Sequence, residues 1–306
     1  MKKVMLSAVA ALVFTAAPAL AADMAVKAKR APAAAASPWD LAFGSAIMSD
    51  YNFRGITQSA KHPSVAAYFE PRYNINANWQ LYAGIAGESI DFPNKASAEI
   101  DLYGGVRPTF GALALDFGYW YYWYPAGQLI TYGNGNVSTA TASFYEIFGK
   151  AAYTINDYVT VGANVFHTPS WLGTGARGTY YSGTVKLTAP ASMLPGGIGA
   201  YATGELGRQA LGSNKLIPVV YTVVADLPDY TTWNAGIGFS WKVFTLDLRY
   251  FDTNLTKSNC NILTGDPGAL PGGTVSALNL GGLQSSWCGS TFIAKLSADL
   301  TLANLK

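Results

Sequence analysis

The stretch Ala98-Glu99-Ile100-Asp101-Leu102-Tyr103-Gly104-Gly105-Val106-Arg107 puts Ile100, Leu102 and Val106 on one face of an extended chain and Glu99, Asp101, Tyr103 and Arg107 on the other. A helix, repeating every ~3.6 residues, cannot sort them this way, whereas a strand turns its side chains over at each step. The same alternation runs outward from Trp39 to the end of the chain. Near that end Phe292, Ala294, Leu296, Ala298 and Leu300 alternate with Ile293, Lys295, Ser297, Asp299 and Thr301. Hardly a charge falls on the apolar side. Such a wall faces either lipid or the core of a soluble sandwich, so the chain start and the loop lengths decide between them.

Residues 1–22 carry Lys2 and Lys3, an apolar run from Val4 through Phe14, and the small-x-small site Ala19-Leu20-Ala21, the layout of a secretory signal peptide. The apolar run is shorter than the ~20 residues of a membrane-spanning helix. Residues 23–38 form an Ala/Pro-rich lead-in without periodic apolar positions, read as flexible and periplasmic, which leaves 39–306 for the folded unit. The chain holds 20 Lys+Arg and 18 Asp+Glu. Removing Lys2 and Lys3 leaves 18 against 18, and removing Asp23, Lys27, Lys29 and Arg30 leaves 15 against 17. A near-neutral unit lacks the basic footprint of nucleic-acid binding. Charged residues make up 12%, against about 25% in soluble domains, while aromatics reach 13%, a balance that suits a solvent other than water. Export favours a disulfide between the two cysteines, Cys260 and Cys288.

Alternation between turn signals predicts about twelve strands, near 39–49, 63–74, 78–88, 97–108, 111–124, 142–155, 158–168, 179–189, 197–208, 229–241, 243–252 and 291–302. Connections after the second, fourth, sixth and tenth are tight; those after odd strands are longer, including Pro125 to Thr141, Gln209 to Pro228 and Thr253 to Ser290. The turn at 191–196 is somewhat longer than this rule prefers. Short turns at one rim and long loops at the other predict an all-β, transmembrane, antiparallel up-and-down barrel, whose even strand number closes without an edge. Glu70, Arg72, Glu99, Asp101, Arg107, Asp116, Glu146, Lys150, Lys186, Glu205, Asp247, Arg249, Lys295 and Asp299 all take the inward register. A soluble sandwich would turn those charges to its outer faces, and it ranks second. The run Tyr119-Trp120-Tyr121-Tyr122-Trp123-Tyr124 sits where an interfacial aromatic girdle belongs.

The stretch Ser49-Asp50-Tyr51-Asn52-Phe53-Arg54-Gly55-Ile56-Thr57-Gln58-Ser59 resembles the signature of the TorF family of porins, a bacterial outer-membrane barrel family also called the Gcw group. Glu99 to Gly105 looks like the family's acidic strand, Gly118 to Pro125 like its Tyr-rich strand, and Tyr145-Glu146 like the Glu opening the next one. The second half of the chain matches by pattern only. The resemblance implies a channel-forming protein of the bacterial outer membrane and names no solute. The chain departs from common barrel practice at Leu302-Ala303-Asn304-Leu305-Lys306, where an aromatic terminus would be usual.

Asp50 to Ser59 leave the first strand for the first long loop, where Arg54, with Asp50, Gln58 and Gly55, can fold inward as a constriction or brace the rim. Either placement of Arg54 needs a carboxylate nearby, with Glu99, Asp101 and Glu146 as candidates. Arg107 and Lys150 complete the expected pore lining. Inward Gly84, Gly105, Gly118, Gly162, Gly236 and Gly238 are read as leaving room in the lumen. A diffusion channel for small hydrophilic solutes or ions therefore leads, a plugged structural barrel follows, and a surface lipase built on outward His167 with Ser170 comes third. No enzyme activity, cofactor or metal site is expected. Gly173 to Gly178 fits a dinucleotide spacing without the helix that should follow, and His62 and His167 are the only histidines. Expected partners are outer-membrane lipids, the solutes and the outer-membrane assembly machinery.

Overall fold

The computed structural model describes residues 38–217 and 219–302. The signal segment, residues 23–37 of the lead-in and residues 303–306 lie outside them. Twelve strands build the wall: β1 (Trp39–Met48), β2 (Ser64–Asn74), β3 (Trp79–Ser89), β4 (Ala98–Phe110), β5 (Leu113–Trp123), β6 (Phe144–Asn156), β7 (Val159–Thr168), β8 (Gly178–Thr188), β9 (Gly199–Leu211), β10 (Tyr230–Trp241), β11 (Phe244–Thr253) and β12 (Thr291–Thr301). Each pairs antiparallel with the next, and β1 closes the barrel on β12, with Ala42 opposite Thr301 and Met48 opposite Lys295. The expected closed, antiparallel, all-β architecture is the one found.

The tight turns occupy residues 75–78, 111–112, 157–158 and 242–243. Asparagine makes two of them: Asn76 Oδ1 accepts from the Asn78 and Trp79 amides at 2.9 and 3.1 Å, and Asn156 Oδ1 from Tyr158 and Val159 at 2.9 and 3.0 Å. The longer connection at 189–198 carries a short 3-10 turn at Pro195–Gly197. The opposite rim bears the long loops, 49–63, 90–97, 124–143, 169–177, 212–229 and 254–290. The last of these holds helix α1 (Lys257–Thr264), and Cys260 is bonded to Cys288 within it, as expected. Gly178 opens β8 rather than a helix, so the glycine-rich stretch before it is a loop.

Strand parity is kept around the barrel. Ile47, Val65, Phe69, Ile85, Leu102 and Leu248 are exposed on the outer surface, while the expected inward charges face the interior. Outward rings pair across strands at both rims, Trp39 with Tyr73 and Trp79 with Phe110 beside the short turns, Tyr119 with Tyr145 and Tyr250 with Phe292 towards the loops. The six-ring run on β5 is only half girdle. Tyr119, Tyr121 and Trp123 point out, whereas Trp120, Tyr122 and Tyr124 are buried inside the wall. Tyr103 stacks on Trp120 at 4.3 Å and Tyr122 on Phe144 at 4.6 Å.

Three of the inward glycines, Gly84, Gly118 and Gly238, do not leave open space. A Cβ at Gly84 would lie 2.3 Å from Tyr103 Cζ, at Gly118 2.7 Å from Phe148 Cζ, and at Gly238 2.0 Å from Tyr201 Cζ. Each missing side chain accommodates an aromatic ring leaning across from a neighbouring strand. The reading of Gly84, Gly118 and Gly238 as lumen volume is corrected accordingly.

Candidate functional site

Loop 49–63 does not stay at the rim. Asn52–Phe53 pairs with Ile56–Thr57 as a small antiparallel hairpin, and residues 50–59 are all buried. Its two turn residues, Arg54 and Gly55, have φ of 49° and 86°, the doubly left-handed turn whose twist suits a two-residue hairpin. Gly55 is required twice over, since a Cβ there would fall 2.2 Å from Thr253 Cγ2 and 2.6 Å from Thr232 Oγ1. The tip therefore packs directly on β10 and β11, having started from β1.

From this tip Arg54 reaches β6 and β9. Its Nη1 and Nη2 donate to Glu146 Oε1 and Oε2 at 2.8 and 2.7 Å, and Nη1 also donates to Gln209 Oε1 at 2.9 Å. The guanidinium lies over the rings of Tyr180, Phe53 and Phe166 at 4.4, 4.6 and 5.0 Å. Arg54 is 3% exposed, and Glu146 and Gln209 are 0% exposed. A charge so deprived of water is tolerable only with a partner of this geometry, and the bidentate fork supplies one. Tyr122 donates a further hydrogen bond to Glu146 Oε2 at 3.1 Å. Of the three candidate partners, Glu146 is the one that holds Arg54.

Asp50 and Gln58 make their hydrogen bonds within the hairpin. Asp50 accepts from the Thr57 hydroxyl and, at 2.9 Å, from Ser59 Oγ. Burial pushes the Asp50 carboxyl up, against the opposing pull of those two hydroxyls. Gln58 donates from its amide to the Tyr51 carbonyl and from Nε2 to the Ile56 carbonyl, at 2.7 and 3.0 Å. Tyr51 then ties the stem to the wall, its hydroxyl donating to Glu99 Oε1 at 2.6 Å.

Glu99 and Asp101 do not meet Arg54. They gather with Glu88 of β3, the three buried carboxylates offering ligand oxygens within 4.8 Å of one another. Neither Asp101 oxygen receives a hydrogen bond of ordinary geometry. This is the one place among the described residues where three such ligands converge. Parity places Glu88 inward with Tyr82 and Ala86, a signal available from sequence but missed because the expected strand stops at 88, short of the observed end at Ser89. Gln209 was missed for the same reason: the ninth strand, expected to end at 208, continues to Leu211.

Towards the short turns the wall charges pair with each other. Arg107 forks onto Glu70 at 2.8 and 3.1 Å and stacks over Tyr82 at 3.5 Å, while Arg72 donates to Glu70 Oε1 at 2.5 Å. On the opposite wall Arg249 grips Asp247 at 2.8 and 3.0 Å and Asn234 Oδ1 at 2.7 Å. Lys150 sits over Phe148 at 4.7 Å and Phe166 at 5.3 Å. His167 does point outward, but its Nδ1 is 2.9 Å from Thr179 Oγ1, and Ser170 Oγ accepts from the Gly175 amide. The two are not hydrogen-bonded as a base and nucleophile would be.

Several solved barrels share this general shape. An outer-membrane channel from Pseudomonas putida F1 is 10% identical with a TM-score of 0.45, over 90% of this chain and 100% of its own. A FadL homologue from Pseudomonas aeruginosa is 12% identical with a TM-score of 0.41, over 86% of this chain and 89% of its own. LpxR from Salmonella typhimurium is 10% identical with a TM-score of 0.41, over 85% and 99%. At these identities the likeness says nothing of function. No curated protein matches the chain. Residues 32–266 match the family described as "Bacterial protein of unknown function (Gcw_chp)", and the chain belongs to that family.

Proposed function

We propose that this chain is a porin-like channel of the bacterial outer membrane, of the kind the TorF resemblance implies, exported through its signal segment and passing small hydrophilic solutes or ions by diffusion. Support for the membrane comes from the exposed apolar belt with rings at both rims: water would not tolerate it, and lipid demands the closed wall beneath it. Within the wall, charges of both signs run the height of the barrel. A barrel meant only to be solid could fill with apolar side chains and avoid their desolvation.

The observation that carries the proposal is the hairpin across the lumen, held at its tip by the Arg54–Glu146 clasp. The blocking element is a loop, tied at its far end by polar contacts that water can replace. On this reading the docked hairpin restricts the passage, and conduction rises when the clasp opens. The expected test is the reversal potential of wild type and Arg54→Ala in planar bilayers. Removing the positive group leaves Glu146 uncompensated in a narrow, poorly screened passage, so selectivity moves towards cations. An unchanged reversal potential in a conducting variant would place Arg54 away from the ion path.

A second reading, a permanently plugged structural barrel, is favoured by one specific feature. The rings that occupy the inward glycine positions fill space a wide pore would leave to water. About eight strands already fill with side chains and about sixteen leave an aqueous channel, so twelve stands between these regimes. A folded protein that conducts neither as wild type nor as Arg54→Ala supports the plug.

A further inference from the structure

Glu88 and Glu99 stand directly opposite each other on β3 and β4, and Asp101 follows two residues along the same inward face. Like charges facing across a ladder oppose its formation, and burial removes the water that would screen them. All three are buried, at 3%, 1% and 0% exposure. Their ligand oxygens nevertheless converge to within 4.8 Å of one another. The buried arginines are engaged elsewhere: Arg54 with Glu146, Arg72 and Arg107 with Glu70, and Arg249 with Asp247.

A second observation is independent of this convergence. Asp101 is fully buried, yet neither of its carboxylate oxygens is hydrogen-bonded. The Trp120 indole N–H on β5 lies towards it but outside hydrogen-bond geometry. Buried carboxylates are ordinarily met by donors, as Glu146 and Glu70 are in this barrel. Two bare oxygens aimed at two further carboxylates call for a positive ligand.

We propose that Glu88, Glu99 and Asp101 form a binding site for one calcium ion at the long-loop end of the barrel. The ligand set is all oxygen, the hard donors calcium prefers. Oxygens on a shell about 2.4 Å from a calcium ion lie at most about 4.8 Å apart, the limit within which these three converge. Three carboxylates, each able to bind through both oxygens, approach the roughly six to eight ligands calcium takes. Magnesium is disfavoured, because it gives up its waters reluctantly and a site this buried has no room to keep them. Glu88 and Glu99 each stand one residue inside the strand ends that border loop 90–97, so the ion enters from that rim. The Tyr51 hydroxyl, donating to Glu99 Oε1 at 2.6 Å, joins the site to the hairpin stem. The two histidines give no hint of such a centre, since adjacent strands assemble it from acids alone. Ion binding here does not depend on whether the barrel conducts.

The test uses the full chain folded in detergent, stripped with chelator and dialysed against radioactive calcium. One ion per barrel is expected, with magnesium bound at least about tenfold more weakly. Asp101→Asn and Glu88→Gln should each weaken calcium binding by about tenfold or more, because affinity follows the charge of the ligand set. Asp91→Asn, at an exposed carboxylate of loop 90–97, should leave it unchanged. In the stripped protein both site variants should resist urea better than wild type, and added calcium should abolish or reverse that advantage. Wild-type crystals soaked in terbium, which takes the same oxygen ligands, should show an anomalous peak among the three carboxylates, a result that needs no variant to fold. Terbium found only at exposed carboxylates, calcium binding unaltered by both site substitutions, or magnesium bound as tightly as calcium overturns the proposal. So does a wild type whose urea midpoint rises on acidification but ignores calcium, since protons then neutralise the triad.

Discussion

Removing the Arg54 guanidinium should loosen the hairpin by a calculable amount. Arg54→Ala deletes hydrogen bonds to both Glu146 oxygens and to Gln209, and it strands Glu146 at 0% exposure with Tyr122 as its remaining donor. Breaking a buried ion pair from one side costs about 3–5 kcal/mol, much of it the penalty on the orphaned partner. Since Tyr122 and any entering water soften that penalty, the lower end applies, and about 3 kcal/mol corresponds to a shift of roughly 100-fold in the docking equilibrium. The barrel wall should survive, so the effect is local and is read by hydrogen exchange of the amides in residues 50–59. Protection there is expected to fall by about two orders of magnitude, with β3 and β11 unchanged. The double variant Arg54→Ala/Glu146→Ala should regain part of the loss, because it removes the stranded charge. Strictly additive effects of the two single substitutions, or undiminished protection in Arg54→Ala, would refute the clasp.

Three further outcomes follow from other parts of the molecule. Gly55→Ala, which meets Thr253 and Thr232 and takes a left-handed φ, should undock the hairpin as Arg54→Ala does, whereas Gly111→Ala, with left-handed φ but open space around it, should cost only about 1 kcal/mol of barrel stability; hydrogen exchange separates them. Reducing Cys260–Cys288, which closes a separation of 28 residues, should destabilise loop 254–290 by about 3.5 kcal/mol on the chain-entropy model, seen as earlier proteolysis of that loop. Protection from proteolysis unaffected by reductant would show that the packing around α1 suffices. Asp101→Asn should raise the urea midpoint by an amount equivalent to roughly 1–3 kcal/mol, because a buried carboxylate beside Glu88 and Glu99 is exchanged for a neutral amide. A lowered midpoint would mean that the negative charge is itself needed there.

The wall was legible because a strand with one apolar and one polar face obeys one local rule. Ile100 and Leu102 outward, Glu99 and Asp101 inward, is fixed by alternation alone, and repetition of that rule gives strand number, closure and the sorting of short from long connections. What alternation does not encode is distance across the barrel. Which of Glu99, Asp101 and Glu146 would hold Arg54 depended on how far a hairpin beginning at β1 leans towards β6, a matter of curvature and of the fit of Gly55 against Thr232 and Thr253. The interior filling was illegible for a related reason. Gly84 and Tyr103 lie on different strands, as do Gly238 and Tyr201, and only the assembled barrel shows that each ring occupies its glycine's space. The ring run on β5 shows the limit within a single strand: alternation divides it into an outer girdle and an inner stack, and composition alone had counted all six as girdle. Glu88 and Gln209 escaped because alternation fades near strand ends: the expected strands stop at 88 and 208, while the observed ones run on to Ser89 and Leu211.

The most direct measurement is single-channel recording of the wild-type protein, folded as judged by heat-modifiable migration, in planar bilayers. The passage gated by the hairpin predicts small, brief, weakly selective conductance steps, rare because the clasp is closed most of the time, and far more frequent in Arg54→Ala. A correctly folded protein that stays silent in both forms would contradict it and leave the barrel as a solid one.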